Sequence, residues 1–551
     1  MKRAVFATAL ASGVLLAVAN PAWADQGHLA TPTDPYLGCP FGGSPTSVNF
    51  PNTEPEPWLA HNPVVPDNLI GGTQQDRWSD GGGHGLVAPY SLDNGATWTV
   101  TPLPFSKCAL PYYGPATLPY DRASDAWVDI GPDGTAYQIS ISFDAMDNNN
   151  AVGATVSVDQ GRTYIKTQPI ITDLDADPTF PFNDKESITA DPRIAGTAYA
   201  VWDRLVLTAC GPSGRSHNMP KADDRKWRGA SKLAAPGTAA SVIPAAALDC
   251  FEGPTMFAVT HDGGTTWSKP APIVTNAPDE QTIANQIVVN KKTGRLYDFY
   301  TYFAADNRVT VEDIFSDDGG ATWSTRQTVN DLNTVGIHDP KTGQGYRTGD
   351  IIPEPAIDPN TGQLYVVWQD NRYNSFDSSQ DMIVISTSTT GLTGSWTNPI
   401  LVNELEDHAA FTPAIKVNGL GQVAVDFYTF RQLSVGSKPG ATDRYLRFSD
   451  GPIAIGANGQ VSGTPFDSDE THIGGPFNML AASWAGGFFT GDYEGMALDK
   501  DPRFVHDMFD QTNCLDFKCA AATLDSQYNP TGASGAPNPD DVFVDKFYRG
   551  S

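Results

Sequence analysis

The sequence predicts an all-β protein built from repeated antiparallel units, and three observations lead to this fold class. The composition is rich in turn-forming and aromatic residues, with 52 Gly, 43 Pro and 10% aromatic residues in 551 positions. An eight-residue pattern recurs in the chain. Short runs of alternating apolar and polar residues, which have the period of a half-buried strand, also recur from the first third of the chain to its end.

The eight-residue pattern is [Ser/Thr]-x-Asp-x-Gly-x-Thr-[Trp/Tyr], and it predicts a tight turn between two strands. It occurs as "SLDNGATW", "SVDQGRTY", "THDGGTTW" and "SDDGGATW", which span residues 91–98, 157–164, 260–267 and 316–323, and residues 388–396 hold a degraded copy. The Asp can accept bonds from backbone N–H groups, the Gly allows a positive φ, and the aromatic residue can pack between strands. We interpret the pattern as a structural turn, because it has too few oxygen ligands for calcium.

Seven hairpins with period-two apolar residues form a second repeat, from "WLAHNPVVPDNLIGGT" to "GMALDKDPRFVHDMFD". Each is followed by a third strand, a turn and a fourth strand, which predicts a β-propeller of four-stranded blades. Seven blades are expected, or six if the last unit is only a closing piece. The last unit lacks a fourth strand, so "TSVNF" at residues 46–50 is predicted to complete it and close the ring.

Residues 1–24 are predicted to be a cleaved signal peptide, because Lys2 and Arg3 precede an apolar run and an "AWA" site. The alternative is a membrane anchor, for which the run is short. Residues 25–50 are then an N-terminal segment and residues 51–551 a single propeller domain. The basic, cysteine-flanked insertion at residues 205–253 is expected to be a lid over the pocket or a mobile surface loop. The mature protein is expected to be secreted or periplasmic, without an integral membrane segment, and monomeric.

The six cysteines fit an exported protein with disulfides. Proximity along the chain predicts the pairs Cys39–Cys108, Cys210–Cys250 and Cys514–Cys519. No zinc spacing is present, and "DLDADP" at residues 173–178 is only a weak match to a metal loop, so neither a metal nor another cofactor is expected.

The formal net charge of −28 argues against nucleic acid and anionic membranes as partners. An anionic substrate remains possible where arginines cluster. In a propeller with the Asp turns on one face, polar residues of the opposite face would surround the central pocket. The candidates there are Arg77, Arg204, Arg347, Arg372, Arg431, Asp125, Glu186, Asp350, Tyr493 and Glu494. Arg77, Arg204 and Arg372 each follow an aspartate closely in the sequence. Each such Asp-Arg pair could instead be a structural ion pair between blades.

The repeated turns resemble the Asp-boxes, or BNR repeats, of sialidase-type propellers. That resemblance implies a tyrosine nucleophile assisted by a glutamate, an aspartate as acid/base, and three arginines that hold the substrate carboxylate. Tyr493 matches the nucleophile, Glu186 or Glu494 its base, and Asp125 the acid/base. The five arginines compete for the clamp, because the first strand begins "EPEPWLAHN" and lacks the Arg-Ile-Pro of familiar sialidases.

Three functions therefore follow as hypotheses. The first is an exported sialidase-like glycoside hydrolase that acts on acidic sugars of glycans. The second is a non-catalytic glycan-binding or cell-surface propeller. The third is a polysaccharide lyase, in which a tyrosine helps to abstract the proton beside a uronate carboxylate.

Overall fold

The computed structural model describes residues 27–208, 250–375, 377–404, 409–430, 438–466, 470–515, 517, 519 and 540–549. The predicted signal peptide, most of the insertion at residues 205–253, Cys210 and Arg431 lie outside the described residues.

The described chain is almost entirely β-structure, and its long strands pair antiparallel with their neighbours along the chain. We number the groups of paired strands from 1 to 7. Group 1 is Trp58–His61, Leu69–Arg77, Gly83–Ser91 and Thr99–Pro102. Group 2 is Arg122–Ile130, Ala136–Phe143, Asn150–Ser157 and Ile165–Asp173. Group 3 is Phe182–Ala190, Ala198–Thr208, Thr255–Thr260 and Ala271–Val274.

The second half of the chain continues in the same way. Group 4 is Glu280–Val289, Leu296–Phe303, Val309–Ser316 and Gln327–Asp331. Group 5 is Glu354–Ile357, Leu364–Asp370, Met382–Ser388 and Ile400–Leu401. Group 6 is Ala410–Val417, Val423–Thr429, Ala441–Phe448 and Thr471–Asn478. Group 7 is Gly495–Leu498, Phe504–Thr512, Asp540–Tyr548 and His28–Leu29.

Group 7 therefore joins the two ends of the chain. His28 lies opposite Val544 in an antiparallel pair, and the Ala30 amide donates to the Val542 carbonyl at 2.8 Å. The prediction that residues 46–50 form the closing strand is wrong, because His28–Leu29 takes that place. The apolar side chains of residues 46–50 pack in a core with Ile337, Tyr346 and Phe488, and their backbone makes only a single bridge, Asn49 to Trp78.

The first strands of the groups contact one another in chain order, and the first strand of group 7 contacts that of group 1. Buried apolar clusters fill the spaces between neighbouring groups, as between groups 5 and 6 and between groups 7 and 1. The core is thus divided into layers, each shared by two groups.

The Asp turns connect third and fourth strands, as the repeat predicts. In residues 316–323 the Asp318 carboxylate accepts the Thr322 amide at 2.8 Å, and the Gly320 amide donates to the Ser316 hydroxyl at 2.9 Å. The bond from the Thr322 hydroxyl is the main cause that lowers the pKa of Asp318 to about 2. Gly320 has a φ of 91°, and the Trp323 indole donates to its carbonyl at 3.1 Å. The bonds from the Thr amide to the Asp carboxylate and from the Gly amide to the Ser or Thr hydroxyl recur in the turns of Asp93, Asp159 and Asp262.

Shorter elements complete the described chain. Ile337–His338, Gly345–Tyr346, Phe488–Phe489 and Ser483–Trp484 form a small sheet, and Cys250–Gly253 pairs with the end of Ala198–Thr208. The helical turns are Lys107–Ala109, Leu110–Tyr113, Gly114–Ala116 and Met479–Ala481. None of the described helices has the length and apolar character needed to cross a bilayer.

Two of the predicted disulfides are confirmed. Cys39–Cys108 and Cys514–Cys519 are bonded, with Cα atoms 5.6 and 5.8 Å apart. Cys250 is also disulfide-bonded, and its predicted partner Cys210 lies outside the described residues.

Candidate functional site

Three charged residues take an unusual backbone conformation at the first strands of groups 1 to 3. Glu56, Asp125 and Lys185 have φ values of 61°, 57° and 48°, in the left-handed region that non-glycine residues rarely occupy. Each lies two positions before the residue at which uninterrupted pairing begins, and in groups 2 and 3 a register shift marks a bulge there. Ala284 and Thr412 have φ values of 63° and 46° at the same position of groups 4 and 6, so the bulge is a feature of the repeat that redirects this side chain.

The redirected side chains meet around the Lys185 ammonium. Its Nζ lies 3.0 Å from Glu56 Oε1, 2.8 Å from Asp125 Oδ1 and 2.9 Å from Asp492 Oδ2. We call these four residues the central cluster. They come from groups 1, 2 and 3 and from the segment before group 7, so the cluster lies where the first strands approach one another.

The carboxyl groups of the central cluster differ in their proton affinity. Burial raises the pKa of Glu56 to about 7, against the opposing pull of Lys185. Burial also opposes ionisation of Asp492, but Arg347 and Lys185 outweigh it and hold the pKa of that carboxyl well below its usual value. Two carboxyl groups that contact one ammonium thus differ in proton affinity, and such a difference is typical of acid/base pairs in enzymes.

Two arginines lie beside the central cluster, and both contact the same aromatic ring. Arg347 forms a two-bond pair with Asp492, with its Nε 2.8 Å from Oδ1. The guanidinium carbons of Arg347 and Arg77 lie 4.7 and 4.9 Å from the centre of the Phe489 ring. Arg77 donates to the Gln74 amide oxygen at 2.6 Å, and the Gln74 amide nitrogen donates to Glu56 Oε2. Gln74 therefore links Arg77 to the central cluster.

Tyr493 lies beside the cluster but lacks the partner expected of an activated nucleophile. Its hydroxyl donates to the Ala126 carbonyl at 3.2 Å, and its ring packs against Trp58 and Trp127. Burial, followed by the nearby carboxylates, raises the pKa of Tyr493 well above 10. Glu186, its predicted base, is buried nearby with no hydrogen-bond partner for either carboxyl oxygen. Burial, and next to it Asp125, raises the pKa of Glu186 well above its usual value.

The structure thus brings five of the sequence candidates together, namely Asp125, Glu186, Tyr493, Arg77 and Arg347. The others have partners elsewhere. Glu494 accepts from the Tyr428 hydroxyl at 2.5 Å and faces Arg444, between groups 6 and 7. Asp350 accepts from the Thr334 hydroxyl at 2.8 Å.

Two of the candidate arginines form local ion pairs. Arg204 pairs with Asp173 at 2.6 Å across groups 3 and 2. Arg372 pairs with Asp370 at 2.7 Å and bonds the Asp331 carbonyl of group 4. Both arginines therefore fix neighbouring groups to each other, while Arg431 lies outside the described residues.

From the sequence, no role was assigned to Glu56, Lys185 or Asp492. An alignment of the seven repeats on their first strands would have identified Glu56 and Lys185, because both occupy the same position of the repeat as Asp125. The position two residues before regular pairing holds, in successive repeats, Glu56, Asp125, Lys185, Ala284, Ile352, Thr412 and Tyr493. Only the first three and the last carry ionisable side chains, and all four lie at the central cluster.

In the described ranges, no group of three or more His, Cys, Asp or Glu side chains is arranged to hold a metal ion. The three acids of "DLDADP" serve local contacts. Asp173 binds Arg204, Asp175 accepts the Asn148 amide, and Asp177 accepts from Thr179.

Comparison with known proteins gives similarity to solved structures alone. No family model matches the sequence, and no curated protein matches it. Among solved structures, a Penicillium chrysogenum α-L-arabinanase complexed with arabinobiose is 13% identical, with 70% of this chain and 94% of that chain covered and a TM-score of 0.41. The Hadza microbial sialidase Hz136 is 15% identical, with coverage of 80% and 70% and a TM-score of 0.42. A variant of the NanB sialidase from Streptococcus pneumoniae is 9% identical, with coverage of 84% and 91% and a TM-score of 0.41.

These identities and TM-scores are too low to carry an argument about activity. The repeated turns have the bonding that their sequence pattern predicts, and they join the third and fourth strands of antiparallel groups. In the sequence and bonding of these turns the chain resembles the Asp-box, sialidase-type β-propeller proteins.

Proposed function

We propose that the protein is an exported glycoside hydrolase with the fold of a seven-bladed β-propeller. It cleaves acidic sugars from glycans at the central cluster, near the axis around which the blades are arranged. The observation that carries the proposal is the convergence of Glu56, Asp125 and Asp492 on one ammonium, with Arg77 and Arg347 beside them. Carboxyl groups are the usual acid, base and nucleophile of glycoside hydrolysis.

Groups 1 to 7 are taken as the blades of this propeller. The closed order of contacts among their first strands supports a ring, and the pairing of His28–Leu29 with Asp540–Tyr548 supports a seventh blade completed by the N-terminal segment. Closure of this kind is how radial β-folds remove exposed sheet edges.

Glu56 is the candidate general acid. Its pKa of about 7 lets it hold a proton near neutral pH and give it to the leaving oxygen of a glycosidic bond. Asp125 is the candidate nucleophile or charge stabiliser, in place of the acid/base role that the sequence suggests for it. Because one oxygen of each carboxyl group lies within 3.0 Å of the same nitrogen, these oxygens are closer together than the ~6.5–9.5 Å typical of inverting enzymes, so retention of configuration is expected.

Acidic sugars are proposed because three cations, Lys185, Arg77 and Arg347, lie at a site in an otherwise strongly acidic protein. Arginine recognises a carboxylate with two parallel hydrogen bonds. The tyrosine nucleophile of sialidases is less well supported, since the Tyr493 hydroxyl donates to a backbone carbonyl and its pKa is raised.

The test is hydrolysis of a panel of fluorogenic glycosides by the mature chain, including sialosides, uronides and arabinofuranosides. Glu56→Gln and Asp125→Asn are each expected to lower kcat by about 10²–10⁴-fold. Glu312→Gln is the control, because Glu312 faces Arg326 at 3.7 Å in group 4, away from the central cluster. An inactive wild-type chain, or a fully active Glu56→Gln variant, would contradict the proposal.

The second candidate is a non-catalytic glycan-binding propeller. It is favoured by the position of the Lys185 ammonium, which fills the space between three carboxyl groups. Binding of an immobilised glycan without turnover of that glycan would support it. A lyase would instead release an unsaturated product that absorbs in the near ultraviolet, which the same incubation detects.

A further inference from the structure

The contact between the two ends of the chain contains an unusual number of buried acids. Glu54 precedes the first strand of group 1, Asp510 lies on the second strand of group 7, and Asp540 and Asp541 begin its third strand. Glu54, Asp510 and Asp540 are fully buried, and Asp541 is 7% exposed. We call these four residues the closure cluster, because they lie where group 7 meets group 1 and the N-terminal strand.

The N-terminal strand is tied to this cluster by one threonine. The Thr31 hydroxyl donates to Glu54 Oε2 at 3.2 Å and accepts from the Val542 amide at 3.3 Å. Glu54 Oε1 accepts from the Gln75 side chain at 2.5 Å. Glu54 therefore connects group 1, the N-terminal strand and, through Thr31, the third strand of group 7.

Several acceptor atoms of the cluster have no donor in the described structure. Both carboxyl oxygens of Asp510 and Oδ1 of Asp540 are buried without a hydrogen-bond partner. An ionised carboxylate can only accept, so burying it without donors is costly, whereas a protonated carboxyl can donate to a neighbouring acid.

The acids of the cluster act mainly on one another. From the surrounding strands, Glu494 acts on Asp510 and accepts its amide at 3.2 Å, and Arg77 acts on Asp540. Ser483 donates its amide to Asp540 Oδ2 at 3.1 Å. The side-chain amides of Asn52 and Asn513 donate to Asp541 at 3.2 and 2.9 Å.

We propose that shared protons hold the closure cluster together, so that the contact between the chain ends is firm at acid pH and loosens when the carboxyl groups ionise. The cluster would make closure of the ring a pH-sensitive step, independent of chemistry at the central cluster. No activity is needed to observe it.

The direction of the effect follows from the proton affinities. Burial is the first cause that raises the pKa of Glu54 and of Asp510 well above the usual range, and that of Asp540 to about 8. The folded state therefore binds more protons than the unfolded state. Stability from these groups is complete below the unfolded pKa of about 4 and is lost as the pH rises through the folded pKa.

The test is hydrogen exchange of the full mature chain at about pH 5.5 and about pH 8.5, corrected for the intrinsic rate. The strands His28–Leu29 and Asp540–Tyr548 are compared with Asn150–Ser157 of group 2, which carries no ionisable side chain. Protection of the two closing strands, relative to the reference strand, is expected to fall about tenfold per pH unit for each proton released. Equal protection at both pH values would overturn the proposal.

Two variants separate the closure cluster from other buried acids. Asp510→Asn mimics the protonated carboxyl and is expected to keep the closing strands protected at the higher pH. Asp298→Asn is the matched control, since Asp298 is buried in group 4, also without a partner, and lies in another layer. An equal effect of both variants on the protection of the closing strands would refute a local role of the closure cluster. If calcium restored the protection at the higher pH, a cation and not shared protons would be required, which would also overturn the proposal.

Discussion

Replacement of Lys185 by methionine would test the central cluster most directly. The Lys185 ammonium is 10% exposed and contacts three carboxyl groups whose side chains are 1–6% exposed. After its removal Arg347 still neutralises Asp492, but Glu56 and Asp125 keep only more distant cations. Removing one partner of a buried ion pair typically costs about 3–5 kcal/mol, and we expect a loss of this size in the free energy of unfolding at neutral pH.

The loss should depend on pH, and this dependence separates charge from packing. In Lys185→Met the buried Glu56 must take up a proton to remain folded. Because its folded pKa then lies above the unfolded one, the variant loses about 1.4 kcal/mol per pH unit as the pH rises. Urea unfolding monitored by tryptophan fluorescence at about pH 5 and about pH 7.5 measures the difference.

Two controls accompany this measurement. Lys185→Arg keeps the charge and should recover part of the stability. Lys500→Met removes an exposed lysine paired with Asp67, a type of ion pair that contributes little. A Lys185→Met variant with wild-type stability at both pH values would refute the view that the ammonium neutralises the three acids.

Three further predictions follow from the same contacts. If Glu56 is the general acid, kcat/KM on any cleaved glycoside should fall as the pH rises through about 7, and the pH–rate profile would contradict the assignment if it stayed flat up to about pH 9. Arg77→Lys should raise KM for an acidic glycoside at least about tenfold, because a lysine cannot form two parallel bonds to a carboxylate, while a neutral glycoside serves as the control. Gly320→Ala should destabilise the protein by about 2–4 kcal/mol, since a Cβ there would lie 2.4 Å from the Phe257 ring at a φ of 91°. Gly319→Ala is its matched control, with a positive φ but no atom within 4 Å, so equal thermal shifts for both variants would contradict a packing role.

The repeated turns and most of the strand order could be predicted from sequence because their causes are local. Asp318, Gly320 and Trp323 interact within eight residues, and period-two alternation reports the buried face of a strand. The central cluster could be predicted only in part. Asp125 was found as a charged residue before a first strand, but its contact with Lys185 depends on the closed order of the groups.

The incorrect position of the closing strand has the same origin. Residues 46–50 alternate like a strand, and only the tertiary structure shows that Val48 and Phe50 fill a core without pairing as the closing strand. Arg204 and Arg372 stay untested as ligand-binding residues, and each pairs with a nearby aspartate in the structure. A sequence pattern does not distinguish an arginine that awaits a ligand from one already paired.

The pairing of the two chain ends has a consequence for how the protein folds. The bond from the Val542 amide to Thr31 joins residues 511 positions apart, so group 7 cannot be completed before residue 542 has been synthesised. Contacts of such high sequence separation form late and slow folding, because the entropy of closing the loop must be lost first. Until then the edges of groups 7 and 1 face solvent as unpaired strands. The chain is therefore most exposed to aggregation and proteolysis after the other groups have formed and before Asp540–Tyr548 pairs in group 7.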